Sequence, residues 1–246
     1  MELLNTTGNR HDLSMNRTAN RSLYNGNNLS LHRTTANQQK ALFSEFSIPL
    51  GKTVNFVSFS PFDSSCDILA AGTKDRVAVF RLVQDEAAAP QQTADVKVDY
   101  HFILDYITGS KANTIAFSPK TDFSHGPEKL LSFAVAGDDF CILILSQLFT
   151  ENSDSTLEEQ NSEQQYISGH NDYINDMAFE PLTGQALAST SDDCTCCIWS
   201  LPSIADAQKN EPDRKLLLTS PGISVKWHNA EPNKVSTSFL DLLNLN

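Results

Sequence analysis

A chain of 246 residues with 40% hydrophobic content can bury a substantial core, as one all-β domain or as two smaller ones. Its formal net charge of −12 argues against a nucleic-acid surface, which must neutralise phosphates with Lys and Arg, and leaves proteins as the expected partners. No apolar run approaches the roughly 18 residues of a membrane span, and MELLNTTGNRHDLS lacks the apolar stretch of a signal peptide, so neither insertion nor export is expected.

Residues 1–40 carry Arg10, Arg17, Arg21, Arg33 and Lys40 against Glu2 and Asp12, a mildly basic arm before an acidic body. The arm is rich in Asn, Thr and Ser and poor in apolar residues, so it cannot offset its own ordering entropy and is expected to be disordered. Its N-x-S/T triplets at Asn5, Asn16, Asn20 and Asn28 follow from that composition, and no export signal accompanies them.

From there to about residue 235 one short pattern recurs: VNFVSFSP, ANTIAFSP, INDMAFEP and ISVKWHNA, with Phe59, Phe117, Phe179 and Trp227 at the equivalent place. Period-two alternation stopped by proline describes a half-buried strand followed by a turn. After each of the first three copies come two further apolar segments joined by an acidic bend, with Asp75, Asp139 and Asp193 as the hairpin-turn acids. Aspartate suits such a bend because its carboxylate accepts from nearby backbone N–H groups and the residue tolerates unusual dihedrals. A fourth strand precedes the next copy each time, at Tyr100–Leu104, Gln164–Ser168 and Lys215–Thr219, which makes units of four strands.

The aromatic markers lie 58, 62 and 48 residues apart, against about 40–45 for a compact blade. The excess falls between third and fourth strands, in residues 83–99, 146–163 and 202–214, which read as loops. The middle one holds Glu151, Asp154, Glu158, Glu159 and Glu163 without Lys or Arg, as a solvated loop or an acidic docking rim. Five cysteines do not make a disulfide framework, and a reducing compartment suits them. Cys194, Cys196 and Cys197 are read as small strand residues and not as metal ligands, since alternation sends Cys196 and Cys197 to opposite faces. No metal or other cofactor is expected.

The third unit carries the most specific signal: Gly169-His170, Ser189, Asp193 and Trp199, with 29 positions from His170 to Trp199. This resembles the GH…W(D) pattern of WD-repeat blades. The resemblance implies a structural tetrad of His170, Ser189, Asp193 and Trp199, hydrogen-bonded from the indole through the serine and histidine to the aspartate. Ser189, His170 and Asp193 are also the residue types of a hydrolase triad, but no G-x-S-x-G elbow is present and Ser189 lies inside a strand pattern. Asp138-Asp139 and Asp192-Asp193 are read in the same way, as acids bracing turns and not as paired catalytic carboxylates. No enzymatic activity is expected.

The run GHNDYINDMAFEPLTGQALASTSDDCTCCIW followed by SPGISVKWH is similar to the small WD-repeat nucleoporins of the Y-shaped outer-ring complex of the nuclear pore. The resemblance spans about residues 50–230. It rests on Tyr173-Ile174, on Ser191 to Cys196, and on Ser220 to Val225 ahead of Trp227-His228. Two departures stand out. The first and second units have Phe80 and Leu145 near the tryptophan position and no GH, and the fourth unit stops after its first strand and runs into STSFLDLLNLN.

The expected fold is thus all-β, a WD-repeat β-propeller with about three and a half blades of the family's seven. The expected divisions are an arm at 1–40, a partial propeller at 41–235 and a divergent tail at 236–246. An open stack leaves sheet edges and a blade face unpaired, so the chain alone should be poorly stable. Either it is a shortened variant, which is favoured, or a partner supplies the missing strands, with Phe239, Leu240, Leu242, Leu243 and Leu245 packing on an exposed edge. The resemblance implies a scaffold docking onto a large propeller-plus-solenoid subunit and other outer-ring nucleoporins. It also implies a location at the nuclear envelope, support of mRNA and protein transport, and a weaker link to kinetochores. The alternative is a WD-repeat adaptor of another assembly such as a ubiquitin-ligase substrate receptor, although Trp199-Ser200-Leu201-Pro202 lacks the W-D-x-R ending of many of these.

Overall fold

The computed structural model describes residues 47–84, 98–124, 126–152, 156–201, 211–229, 231 and 234–239. The arm at 1–40, Asp154 and the leucines of the tail lie outside them. Fourteen strands are present among the described residues, and the single helical turn is a 3-10 turn at Asp63–Ser65. The chain divides into two compact units, residues 1–53 with 83–100 and residues 54–82 with 101–246. Of the first, the described part is a lead-in at 47–53 and the far ends of two strands. The second holds the body of every sheet.

Three four-stranded antiparallel sheets succeed one another along the chain, each in sequential strand order. The first holds β1 (Phe56–Phe59), β2 (Ile68–Gly72), β3 (Arg76–Gln84) and β4 (Val98–Ile107). The second holds β5 (Ala112–Phe117), β6 (Glu128–Gly137), β7 (Cys141–Glu151) and β8 (Leu157–Ser168). The third holds β9 (Ile174–Phe179), β10 (Ala186–Ser191), β11 (Thr195–Ser200) and β12 (Arg214–Leu217). A two-stranded sheet of β13 (Gly222–Trp227) and β14 (Val235–Phe239) completes the series. The first strands β1, β5, β9 and β13 neighbour one another, as the blades of a propeller require.

Period-two alternation builds the core between sheets. In β6, Phe133 and Val135 join Val77, Val79 and Ile115 in one cluster, while Ala134 and Ala136 face Met177, Phe179 and Trp199 in another. In β11, Cys197 belongs to that second cluster and Cys196 to a third with Ala188 and Val225, so the two cysteines do point to opposite faces. Register makes the units equivalent: Phe59 opposes Leu69, which opposes Phe80; Phe117 opposes Phe133, which opposes Leu145; Phe179 opposes Leu187, which opposes Trp199. Phe80 and Leu145 thus hold the place that Trp199 fills in the third sheet.

Two segments differ from the sequence reading. Of residues 146–163, those at 146–151 and 157–163 are strand and not loop, since β7 runs on to Glu151 and β8 starts at Leu157, with Thr150 opposite Glu158 and Glu151 opposite Leu157. The insertion lengthens a hairpin beyond the blade. Its closed side is apolar, with Phe123 and Phe149 fully buried, and Lys129 reaches Glu151 at 3.2 Å. The fourth unit also continues past its first strand, because Val235–Phe239 pairs with β13, from Trp227 opposite Val235 to Gly222 opposite Phe239. The boundary expected at residue 235 therefore falls inside a strand. STSF is polar enough to read as tail, and pairing with β13 supplies the order that its own pattern does not.

Candidate functional site

The third sheet concentrates the buried polar groups. β10 places Ser189 and β11 places Trp199 on the face turned to the second sheet, and the segment leading into β9 brings His170 beneath them. The Trp199 indole N–H donates to Ser189 Oγ at 2.9 Å, and Ser189 Oγ lies 2.7 Å from His170 Nε2. On the other side of the ring, His170 Nδ1 lies 3.1 Å from Asp193 Oδ2. An ionised carboxylate can only accept, so Nδ1 carries the proton, Nε2 accepts, and the serine hydroxyl donates to it. The four residues named from the sequence thus form one directional chain.

The aspartate is held by more than the histidine. The Asn171 backbone N–H donates to Oδ2 at 3.0 Å, the Thr195 N–H to Oδ1 at 3.0 Å and the Thr195 hydroxyl to Oδ1 at 2.5 Å. Burial works against the charge, but these bonds and the neighbouring ring outweigh it and bring the Asp193 carboxyl down to about 2. For His170 the balance is the opposite: burial pushes its pKa below the ordinary value, against the pull of Asp193. The ring is therefore neutral at pH 7. Lys215 closes the arrangement from solvent, donating to the Gly169 carbonyl at 2.7 Å with its ammonium 3.7 Å from Asp193. Thr195 and Lys215 were not singled out from the sequence, although the Asp-x-Thr spacing would have identified the threonine.

Among the hairpin-turn acids, Asp139 and Asp193 share one geometry. The turns contain three residues, the last in the left-handed region at Phe140 (φ 64) and Cys194 (φ 59), and the aspartate before it accepts from the N–H two residues on. The unusual dihedral falls on the residue after each aspartate, with the carboxylate bracing it. Asp75 lies in a tighter turn in which Thr73 N–H bonds the Arg76 carbonyl, and its own carbonyl accepts from Thr108 N–H at 2.9 Å.

Chemically the site is closed. Ser189 is wholly buried, Trp199 is 2% exposed, and the serine oxygen already has both its donor and its acceptor. A substrate carbonyl has no route to it, which removes the geometric basis for a hydrolase triad. Cys196 and Cys197 are buried, and burial pushes the Cys196 thiol up to about 11, far from a thiolate ligand. Among the described residues no group of three or more His, Cys, Asp and Glu side chains is placed to hold a metal ion, and no helix is long and apolar enough to cross a membrane.

The third sheet is bonded to the fourth through Asp176, whose Oδ2 accepts from Val225 N–H at 3.0 Å and Ser224 hydroxyl at 2.7 Å. Trp227 Nε1 donates to the Ala178 carbonyl at 2.8 Å. A Cβ at Gly222 would stand 1.7 Å from Thr190 Oγ1, so β13 approaches β10 as only glycine permits.

The family described as WD domain, G-beta repeat, matches residues 161–200, the stretch holding all four members of the hydrogen-bonded chain. Curated relatives extend the similarity. The chain is 35% identical over 184 residues to Nucleoporin Nup37 of Mus musculus, covering 74% of this chain and 50% of the relative. It is 32% identical over 200 residues to Nucleoporin Nup37 of Homo sapiens, covering 77% and 55%. With the Nup37 of Drosophila melanogaster the identity is 34% over 123 residues, 50% of this chain and 33% of that one. The chain spans about half the length of the mouse and human proteins. Its fold is that of a partial WD-repeat β-propeller, and the chain is a homologue of the nucleoporins named Nup37.

Proposed function

We propose that the chain is a structural subunit of the outer ring of the nuclear pore, acting through protein contacts and performing no bond-making step. The observation that carries this reading is the closed tetrad. The residues of the third sheet that resemble chemistry are spent on one another, while the similarity to Nup37 covers 74% of the chain. In this reading His170, Ser189, Asp193 and Trp199 are a lock that fixes the third blade, and Asp75, Asp139 and Asp193 brace the turns. The arm at 1–40 and the last residues of the chain flank the propeller.

The partners are a large propeller-plus-solenoid nucleoporin and other outer-ring subunits, at the nuclear envelope, in support of mRNA and protein transport. Rigid sheet edges and turns suit a standard-size interface of about 1,600 Å². Nucleic acid is not a partner, given the net charge of −12. The test is to isolate the tagged chain from cells under gentle conditions and identify what accompanies it, with imaging of the nuclear rim in parallel. Outer-ring nucleoporins and rim staining are expected. A chain that arrives without them and stains the cytoplasm uniformly overturns the proposal.

A further inference from the structure

Between the second and third sheets lies a groove of about 850 Å³, away from the tetrad. One wall is the face of the second sheet, where Ser132, Ser146 and Glu163 stand in register across β6, β7 and β8, with Ile144 opposite Gln165 beside them. The other wall is the β9–β10 turn with the end of β11, contributing Phe179, Leu182 and Leu201. That turn is held stiffly. The Glu180 carboxylate accepts from the Leu182 and Thr183 backbone N–H groups, both at 2.7 Å, and the Glu180 carbonyl accepts from Gly184 N–H at 3.1 Å. The groove is therefore preformed and does not need to be assembled on binding.

Three features describe an occupant. Gln165 lines the groove, and its Nε2 is buried with no hydrogen-bond partner among the described residues, so a turn of this side chain toward an acceptor in the groove relieves an orphaned donor. Phe179, Leu182 and Leu201 give an apolar seat, with Leu182 61% exposed. The charge is acidic: Glu180 is occupied by its own turn, Glu163 is exposed, and the exposed Glu158, opposite Thr150 on the same side of the sheet, continues along β8 beyond the groove, against the single cation Lys120 in the lining. A charge trail leading out along a strand fits a polymer better than a compact small molecule.

We propose that this groove receives an extended segment of a partner protein in which an apolar residue is flanked by Lys or Arg. The apolar side chain sits against Phe179, Leu182 and Leu201, a backbone carbonyl accepts from Gln165 Nε2, and the basic residues meet Glu163 and Glu158. The proposal rests on the reading of the chain as a protein-binding scaffold and names where and what it binds. A ligand of this kind satisfies the orphaned amide and buries apolar surface in one step.

The test is to pan the full chain against a displayed library of random peptides of about a dozen residues. The enriched peptides are then measured by fluorescence anisotropy on the parent chain and on Glu163→Lys, Leu182→Glu and Gln165→Leu. Glu163 and Leu182 are exposed, so those two variants should keep the parental melting temperature, which controls for folding. The expected result is an apolar residue with neighbouring Lys or Arg in the enriched set, and a loss of affinity of at least about tenfold in each variant. Enriched peptides that bind all four proteins alike, or no enrichment over an unrelated acidic protein, overturn it. Co-purification of outer-ring nucleoporins with the parent chain does not depend on these substitutions, so the groove can fail while the scaffold reading stands.

Discussion

Removing the Ser189 hydroxyl leaves two buried groups without partners, the Trp199 indole N–H and the acceptor nitrogen of His170. Each such orphan costs about 1–3 kcal/mol, so Ser189→Ala should lower the melting temperature of the chain by several degrees. Acid should act on the same chain of bonds in two stages. Because burial holds His170 below its ordinary 6.5, the unfolded chain takes up that proton first as pH falls, and stability declines from about 6.5 downward. The contribution of Asp193 is complete above 3.8 and disappears as pH falls towards its folded value of about 2. In Asp193→Asn the second decline should vanish from a pH series of denaturant midpoints. These residues were legible in the sequence because indole, imidazole, hydroxyl and carboxylate must satisfy one another when buried, and their spacing is a recognisable signature. Gln165 and Glu180 were not, since an amide on an outer strand and an acid ahead of Pro181 acquire meaning only when two sheets are set side by side.

The long hairpin of β6, β7 and β8 shows an element escaping pattern reading. LEEQNSEQ has no apolar alternation, so it reads as loop, and it becomes strand because β7 offers a ladder and solvent takes its side chains. The clue lay in the opposite strand, where Leu145 and Phe149 are fully buried on a run too long for a compact blade. Within that hairpin, Lys129 is 5% exposed in its side chain, pairs with Glu151 and donates to the Phe123 carbonyl at 3.3 Å. Glu151→Gln leaves this ammonium without its counter-charge, whereas Lys129→Met removes the need for a partner and keeps the packing of the stem. The first should cost about 2 kcal/mol, less than for a wholly buried pair because Glu151 retains 27% exposure, and the second clearly less, read from urea midpoints. For the junction of third and fourth sheets, Gly222→Ala should push β13 off Thr190. Faster amide exchange is expected throughout β13 and β14, with β9 to β11 little changed.

At the scale of the whole molecule, stability is shared between neighbouring sheets as in other repeat architectures. The second sheet is covered on both faces, with Phe133 and Val135 in one cluster and Ala134 and Ala136 in the next, all at most 2% exposed. In β1 Val57 and Phe59 are half exposed, and Ile223 and Phe239 of the last pair are 43% and 39% exposed. Native-state hydrogen exchange should accordingly place the slowest amides in β6 and β7 and the fastest among strands in β1 and β14. The repeat itself was visible from four aromatic markers and three acidic bends, because each blade repeats the same burial problem. Polar tetrads in the first two units were not to be expected: the register positions equivalent to Ser189 and Trp199 are Ala71 and Phe80, then Val135 and Leu145. At those positions the two blades are packed by hydrocarbon.

The two thiols that face opposite sides of β11 also give this fold a clock. Cys196 and Cys197 are wholly buried and held in the unreactive protonated form, while Cys66 is exposed at the end of the 3-10 turn between β1 and β2. An alkylating reagent should consume Cys66 at the rate of a free thiol and reach the other two only during excursions that separate the third sheet from its neighbours. Timed mass spectrometry of the three sites would count those excursions, and a docked partner that clamps the sheets together would slow the count without touching either sulfur.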